Sequence, residues 1–178
     1  MKKLIFYAAI VLGIALQLLG CGSGTPEKPI QQKTATITFS AISTATLPAA
    51  ISGIEISANL PQGVAVALEP TTANMISFSS LKNLKNNSLV SGSYVASSNQ
   101  VNLILASTPP TILGFGNTGE FISLVCTFSP DLTLTENNFL SINPTFPDFK
   151  ATGFITSGGT KTSVDLTSKL RPSMRVTF

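Results

Sequence analysis

Glu120-Phe-Ile-Ser-Leu-Val-Cys-Thr-Phe128 decides the class of this chain. Side chains of an extended strand alternate between two faces, and Ile122, Leu124, Cys126 and Phe128 all fall on one of them. The aromatic and β-branched content is that of a half-buried strand. Working outward, the same chemistry repeats. Residues 34–42 alternate Thr34, Thr36 and Thr38 with Ala35, Ile37 and Phe39, and residues 52–59 set Ile54, Ile56 and Ala58 against Gly53, Glu55 and Ser57. Residues 64–68 follow the turn signal Pro61-Gln-Gly63, while 88–96 and 100–107 are joined by Ser97-Ser-Asn99. Further strands are expected at 139–143, 149–157 and 173–178. Residues 71–85 and 131–138 leave room for a short helix or a turn or two. About nine short strands across residues 34–178 predict an all-β fold, a single antiparallel β-sandwich or jelly roll. Its core is expected to draw on Phe39, Ile54, Ile56, Val66, Leu103, Leu105, Leu124, Phe128 and Phe154.

The other end of the chain speaks of location. Lys2 and Lys3 precede an apolar run from Leu4 to Leu19, closed by Leu18-Leu19-Gly20-Cys21. A positive start, a short apolar stretch and small residues at its end describe a secretory signal. The run of 16 residues is shorter than the roughly 20 that a spanning helix needs. Leu18, Leu19, Gly20 and Cys21 resemble the cleavage and lipidation box of bacterial lipoproteins. The resemblance implies export, cleavage before Cys21, and attachment to a membrane through lipid on that cysteine. Gly22 at the next position implies the outer membrane if the organism is Gram-negative. The expected organisation is thus a signal peptide at 1–20, a lipidated cysteine and Pro-punctuated flexible tether at 21–33, and a folded domain at 34–178.

Charge and residue types then remove several classes of function. The chain has 11 basic and 8 acidic residues, but Lys2 and Lys3 leave with the signal, so the remainder carries a net charge of +1. No basic run remains, and the electrostatic footprint of a nucleic-acid binder is missing. There is no histidine, which removes Ser-His and Cys-His nucleophilic catalysis and makes a transition-metal site poor. With Cys21 lipidated, Cys126 has no disulfide partner and reads as a small buried hydrophobe. Gly114-Phe-Gly-Asn-Thr-Gly119 has the spacing of a dinucleotide loop, but the strand at residue 120 stands where that motif needs a helix. It is read as a turn. The remaining carboxylates are scattered singly, Glu55 and Glu120 being the two that strands could bring together across one sheet as a hydrolytic pair. Asp131, Glu136 and Asn137 are weighed as calcium ligands, though their spacing fits no loop. The reading is of a protein that is not an enzyme and needs no cofactor.

Three segments carry a family resemblance: Ile51-Ser-Gly-Ile-Glu-Ile-Ser-Ala-Asn-Leu-Pro-Gln-Gly-Val64, then Ser91-Gly-Ser-Tyr94 with Gln100-Val-Asn-Leu-Ile-Leu105, then the block from Gly116 to Phe128. With Phe139, Asp148 and Gly153 after them, they resemble bacterial cohesin-like domains, relatives of carbohydrate-binding modules. The resemblance implies a nine-stranded jelly-roll sandwich and non-enzymatic binding; no binding residue of that family has a motif to match here. Beyond residue 20 the chain has no Trp, one Tyr (Tyr94) and ten Phe, which counts against a platform for crystalline polysaccharide. Phe146 and Phe149 are read as covering one end of the sandwich. The expected function is a lipid-anchored binding module at the cell envelope, recognising a protein or a polysaccharide and no nucleic acid. The alternative is a structural subunit or assembly factor of a surface appendage or secretion system, for which residues 101–107 would supply an uncharged strand edge.

Overall fold

Ten strands in two antiparallel sheets make up the computed structural model, which describes residues 31–85, 88–107 and 119–178. The leader, Cys21, the tether up to residue 30 and residues 114–118 of the glycine motif lie outside the described residues. The first sheet holds β1 (Lys33–Ser43), β3 (Val64–Val66), β4 (Leu81–Asn83), β7 (Glu120–Phe128) and β10 (Leu170–Thr177). The second holds β2 (Ile51–Asn59), β5 (Ser88–Val95), β6 (Gln100–Ser107), β8 (Lys150–Ser157) and β9 (Thr160–Asp165). The fold is therefore the all-β sandwich that the sequence predicts, with a short α-helix, α1 (Glu136–Leu140), between β7 and β8 and a 3-10 turn (Thr167–Lys169) before β10.

β7 organises the first sheet. It pairs with β1 on one side and with both β3 and β4 on the other, and β10 closes the far edge of β1. Register places Ile37 opposite Leu124, Ala35 opposite Cys126, Val66 opposite Cys126 and Val64 opposite Phe128, all of them buried. The second sheet runs β5-β6-β2-β8-β9, and Leu103, Leu105, Ile54, Ile56 and Ala151 form its inner face. Both inner faces join in one apolar core. Burial on this scale is the main source of stability, at about 25 cal/mol per Å² removed from water.

Two bulges shift the alternation. Phe39 pairs with Ile122 and Ser40 with Glu120, so Phe121 is an extra residue on β7. An extra residue bends a strand and breaks its parity, and Phe121 and Ile122 are consequently both buried. The same device at Ser52, between the pairs Ile51–Gly153 and Gly53–Thr152, lets Ile51 and Ile54 both point inward.

Several expectations are corrected. Phe154 belongs to the outer face, 54% exposed, because Ala151 and Gly153 hold the inward parity of β8. The inner space beside Gly153 is taken by the Leu166 and Ala49 side chains and by the Ala50 carbonyl oxygen, which a Cβ at 153 would strike. Residues 139–143 are not a strand. The Thr135 N–H donates to Asn138 Oδ1 (2.8 Å), capping α1, and Asn143 fixes the turn after it by donating to the Asn59 and Phe139 carbonyls. Residues 71–85 contain no helix but turns and β4, whose Leu81 pairs with Leu124. β9 is a strand to which the sequence reading assigns no element; it forms because Gly158 (φ 56) and Gly159 (φ 83) take the left-handed turn that matches strand twist. Residues 101–107 are no edge: β6 lies between β2 and β5 and is hydrogen-bonded on both sides.

Candidate binding face

Cys126 has no chemistry to offer. It is fully buried between Ala35 and Val66, and burial pushes its thiol up to about 12. Thiolate is the reactive form, so the residue packs, as its strand parity predicts. Gly119 sits at φ 63 and its carbonyl accepts the Ala41 N–H (2.9 Å), after which β7 begins at once. A strand in that place gives no helix N-terminus to hold a pyrophosphate.

Glu55 and Glu120 do not meet. Glu55 stands on β2 with Lys150 at 4.0 Å, whereas Glu120 stands on β7 in the other sheet and accepts from Arg175 Nη2 at 3.0 Å. Most other carboxylates are engaged with nearby backbone. Glu136 accepts the Val176 N–H (3.0 Å), Glu69 the Phe78 N–H (3.0 Å) and Asp165 the Thr167 N–H (2.8 Å). Those bonds with Thr167 hold the Asp165 carboxyl below its usual range. Asp131 accepts only the Ser129 hydroxyl, at 3.4 Å, and Glu136 is committed to β10. Among the described residues, no three His, Cys, Asp or Glu side chains gather as they would around a metal. The structure does not assemble Asp131, Glu136 and Asn137 into a calcium site.

The aromatic residues divide. Phe149 is buried and Phe146 half-buried against the core, so both pack over the sandwich as expected. Tyr94 also leans on the core and donates its hydroxyl to Asn99 Oδ1 at 2.6 Å. Two open grooves have mixed polar and apolar linings. One of about 690 Å³ lies between α1 and β10 beside Arg171 and Met174, and one of about 440 Å³ lies beside Lys33 and Phe178.

The outer face of the second sheet is different. Register lays its outward side chains in rows. Val95, Gln100 and Asn59 form one row, and Ser93, Asn102 and Ser57 the next. Ser91, Ile104, Glu55 and Lys150 follow, then Leu89, Ala106, Gly53 and Thr152. One end is thus short and polar, while at the other Leu89, Ile104 and Ala106 stand among Ser91, Glu55, Lys150 and Thr152. Leu89 is 68% exposed and Ile104 46%, and Phe154 joins them from β8. Gly53 carries no side chain between Ala106 and Thr152 and keeps that row low. The first sheet offers no equivalent, since Thr38 and Ser123 on its outer face are buried. Across β5, β6, β2 and β8 the charges in these rows are Glu55 and Lys150, which oppose each other, and β9 adds Asp165 beside Thr152. Sequence alternation sets Gly53, Glu55 and Ser57 on the outer face, but it does not say which sheet stays uncovered and it places Phe154 in the core. Compared with known proteins, the chain matches no family model, no curated protein and no solved structure.

Proposed function

We propose that this protein is a lipid-anchored, non-catalytic binding module of the cell envelope, and that the outer face of the second sheet receives its partner. The observation that carries the reading is the set of large apolar side chains exposed on that face, Leu89, Ile104 and Phe154, bordered by polar residues and the opposed charges of Glu55 and Lys150. Exposed apolar surface bordered by polar groups is the usual composition of a contact site. The Leu18-Leu19-Gly20-Cys21 box supports attachment through lipid on Cys21. The resemblance to cohesin-like domains supports binding without catalysis, and two antiparallel sheets fit that architecture. A protein partner is favoured over a glycan, because Leu89 and Ile104 are aliphatic and Phe154 is the one aromatic ring beside them, short of the several rings of a sugar-stacking platform. The structural-subunit alternative loses the edge that residues 101–107 were expected to supply, since β6 is interior.

The test is capture from detergent-solubilised envelopes by the full chain, with Ile104→Lys and Leu89→Asp as paired variants. A component held by the native protein and lost with both variants, at unchanged melting temperature, supports the reading. Equal retention by all three removes the face from consideration, and soluble oligosaccharides competing with the component would move the partner class to glycans. Cys21→Ser should shift the protein from the membrane to the soluble fraction, and continued membrane retention would refute the anchor.

A further inference from the structure

We propose that the free edge of β9 pairs antiparallel with β9 of a second copy, joining two second sheets into one continuous sheet. This goes beyond the binding role and does not rest on it. Unpaired N–H and C=O groups on a strand edge invite another strand, and the edges of the two sheets are protected unequally. At the β10 edge, Pro172 has no N–H, Val176 donates to Glu136 and Leu170 to the Thr167 carbonyl. At the β5 edge, Tyr94 donates to the Asn74 carbonyl (2.8 Å) and Gly92 accepts the Ile76 N–H (2.9 Å). β3 and β4 are three residues each, too short to template a partner. β9 has none of these protections.

The polarity of its edge follows from the hairpin. Ser157 and Thr160 close the two-residue Gly158-Gly159 turn, so Thr160, Thr162 and Val164 turn their N–H and C=O toward β8. Leu166 continues that parity, donating its N–H to the Ala151 carbonyl at 2.8 Å. Lys161, Ser163 and Asp165 therefore present theirs outward, and among the described residues no backbone group is bonded to them. A two-fold axis at Ser163 uses those three residues and no others, each donating one hydrogen bond and accepting one. The same register sets Lys161 opposite Asp165 of the second copy, twice. All three side chains are exposed and share the outer face, since Lys161 pairs with Thr156, Ser163 with Phe154 and Asp165 with Thr152. A strand whose charges complement their own reverse reading fits a second copy of itself better than an arbitrary edge. The contact is isologous and closes at two copies.

Ser163→Cys in the full chain, treated in intact cells with a short bis-maleimide, tests the pairing. The unsubstituted protein is the blank, and Lys82→Cys on exposed β4 is the positional control. Cross-linked dimer at 163 well above that at 82 is expected. Adding Lys161→Asp should cut it by about tenfold, as two cross-strand attractions become repulsions, while Lys161→Arg should preserve it. Cross-linking at 163 no greater than at 82 would overturn the contact, indifference to Lys161→Asp would overturn the register, and ladders beyond the dimer would overturn the closed geometry.

Discussion

Gly119→Ala is the perturbation whose cost the structure fixes most tightly. Gly119 has φ 63, a left-handed conformation that costs an L-residue about 1–2 kcal/mol. A Cβ there would lie 2.2 Å from the Ala41 carbonyl oxygen and 2.9 Å from its carbon. Both are backbone atoms of β1, so no side chain can rotate away. Relief means moving the turn, which breaks the Ala41 N–H bond to the Gly119 carbonyl (2.9 Å) at about a further 1 kcal/mol. The total is about 2–3 kcal/mol, a fall in melting temperature of about 4–12 °C for a chain of this size. Gly159→Ala is the matched control. Its φ is 83 but nothing lies within 4 Å of its Cβ position, so only the conformational cost of about 1 kcal/mol remains. Urea unfolding followed by circular dichroism measures both. If Gly119→Ala costs no more than Gly159→Ala, the close approach of Gly119 to β1 is wrong, and with it the reading of the glycine motif as a turn.

Cys126→Ala should cost about 1 kcal/mol through lost packing, and the native thiol should resist alkylation until the domain unfolds. The unfolded thiol ionises near 9.0 and the folded one at about 12, so this residue's contribution is intact below pH 9 and declines above it as the unfolded state sheds protons; the difference in stability between native protein and Cys126→Ala should shrink over that window. Phe39→Ala should cost about 3–5 kcal/mol because the ring is fully buried, whereas Phe154→Ala on the outer face should stay within about 1 kcal/mol by thermal or urea melts. Asn143→Ala should cost about 2–4 kcal/mol in the same melts, since one side chain bridges Asn59 and the end of α1 through its bonds to both and is buried.

Alternation made much of this fold legible. Ile122, Leu124, Cys126 and Phe128 are buried together, as are Ile54 with Ile56 and Leu103 with Leu105, because a period of two is a local property of extended backbone. The lack of histidine and the scatter of carboxylates were also compositional facts. Where the reading failed, a longer-range or more specific interaction had decided. Phe154 has the residue type of a core position, but Gly153 next to it was needed where Ala50 passes close. The apolar spacing at 139–143 gave way to the Thr135–Asn138 cap, whose side-chain bond competes with strand formation. β9 is polar on both faces and carries almost no pattern, yet the turn at Gly158-Gly159 brings it to the edge of β8.

The sequence by itself determined that the chain is β-rich and which side chains along most strands share a face. Those are properties of neighbours in the chain. Only the tertiary structure decided that Phe121 and Ile51 are buried against their parity, since a bulge exists only relative to the strand opposite it. It alone decided that β6 is interior and β9 an edge, and that the outer face of the second sheet remains open, because strand order arises from pairing between segments far apart in sequence.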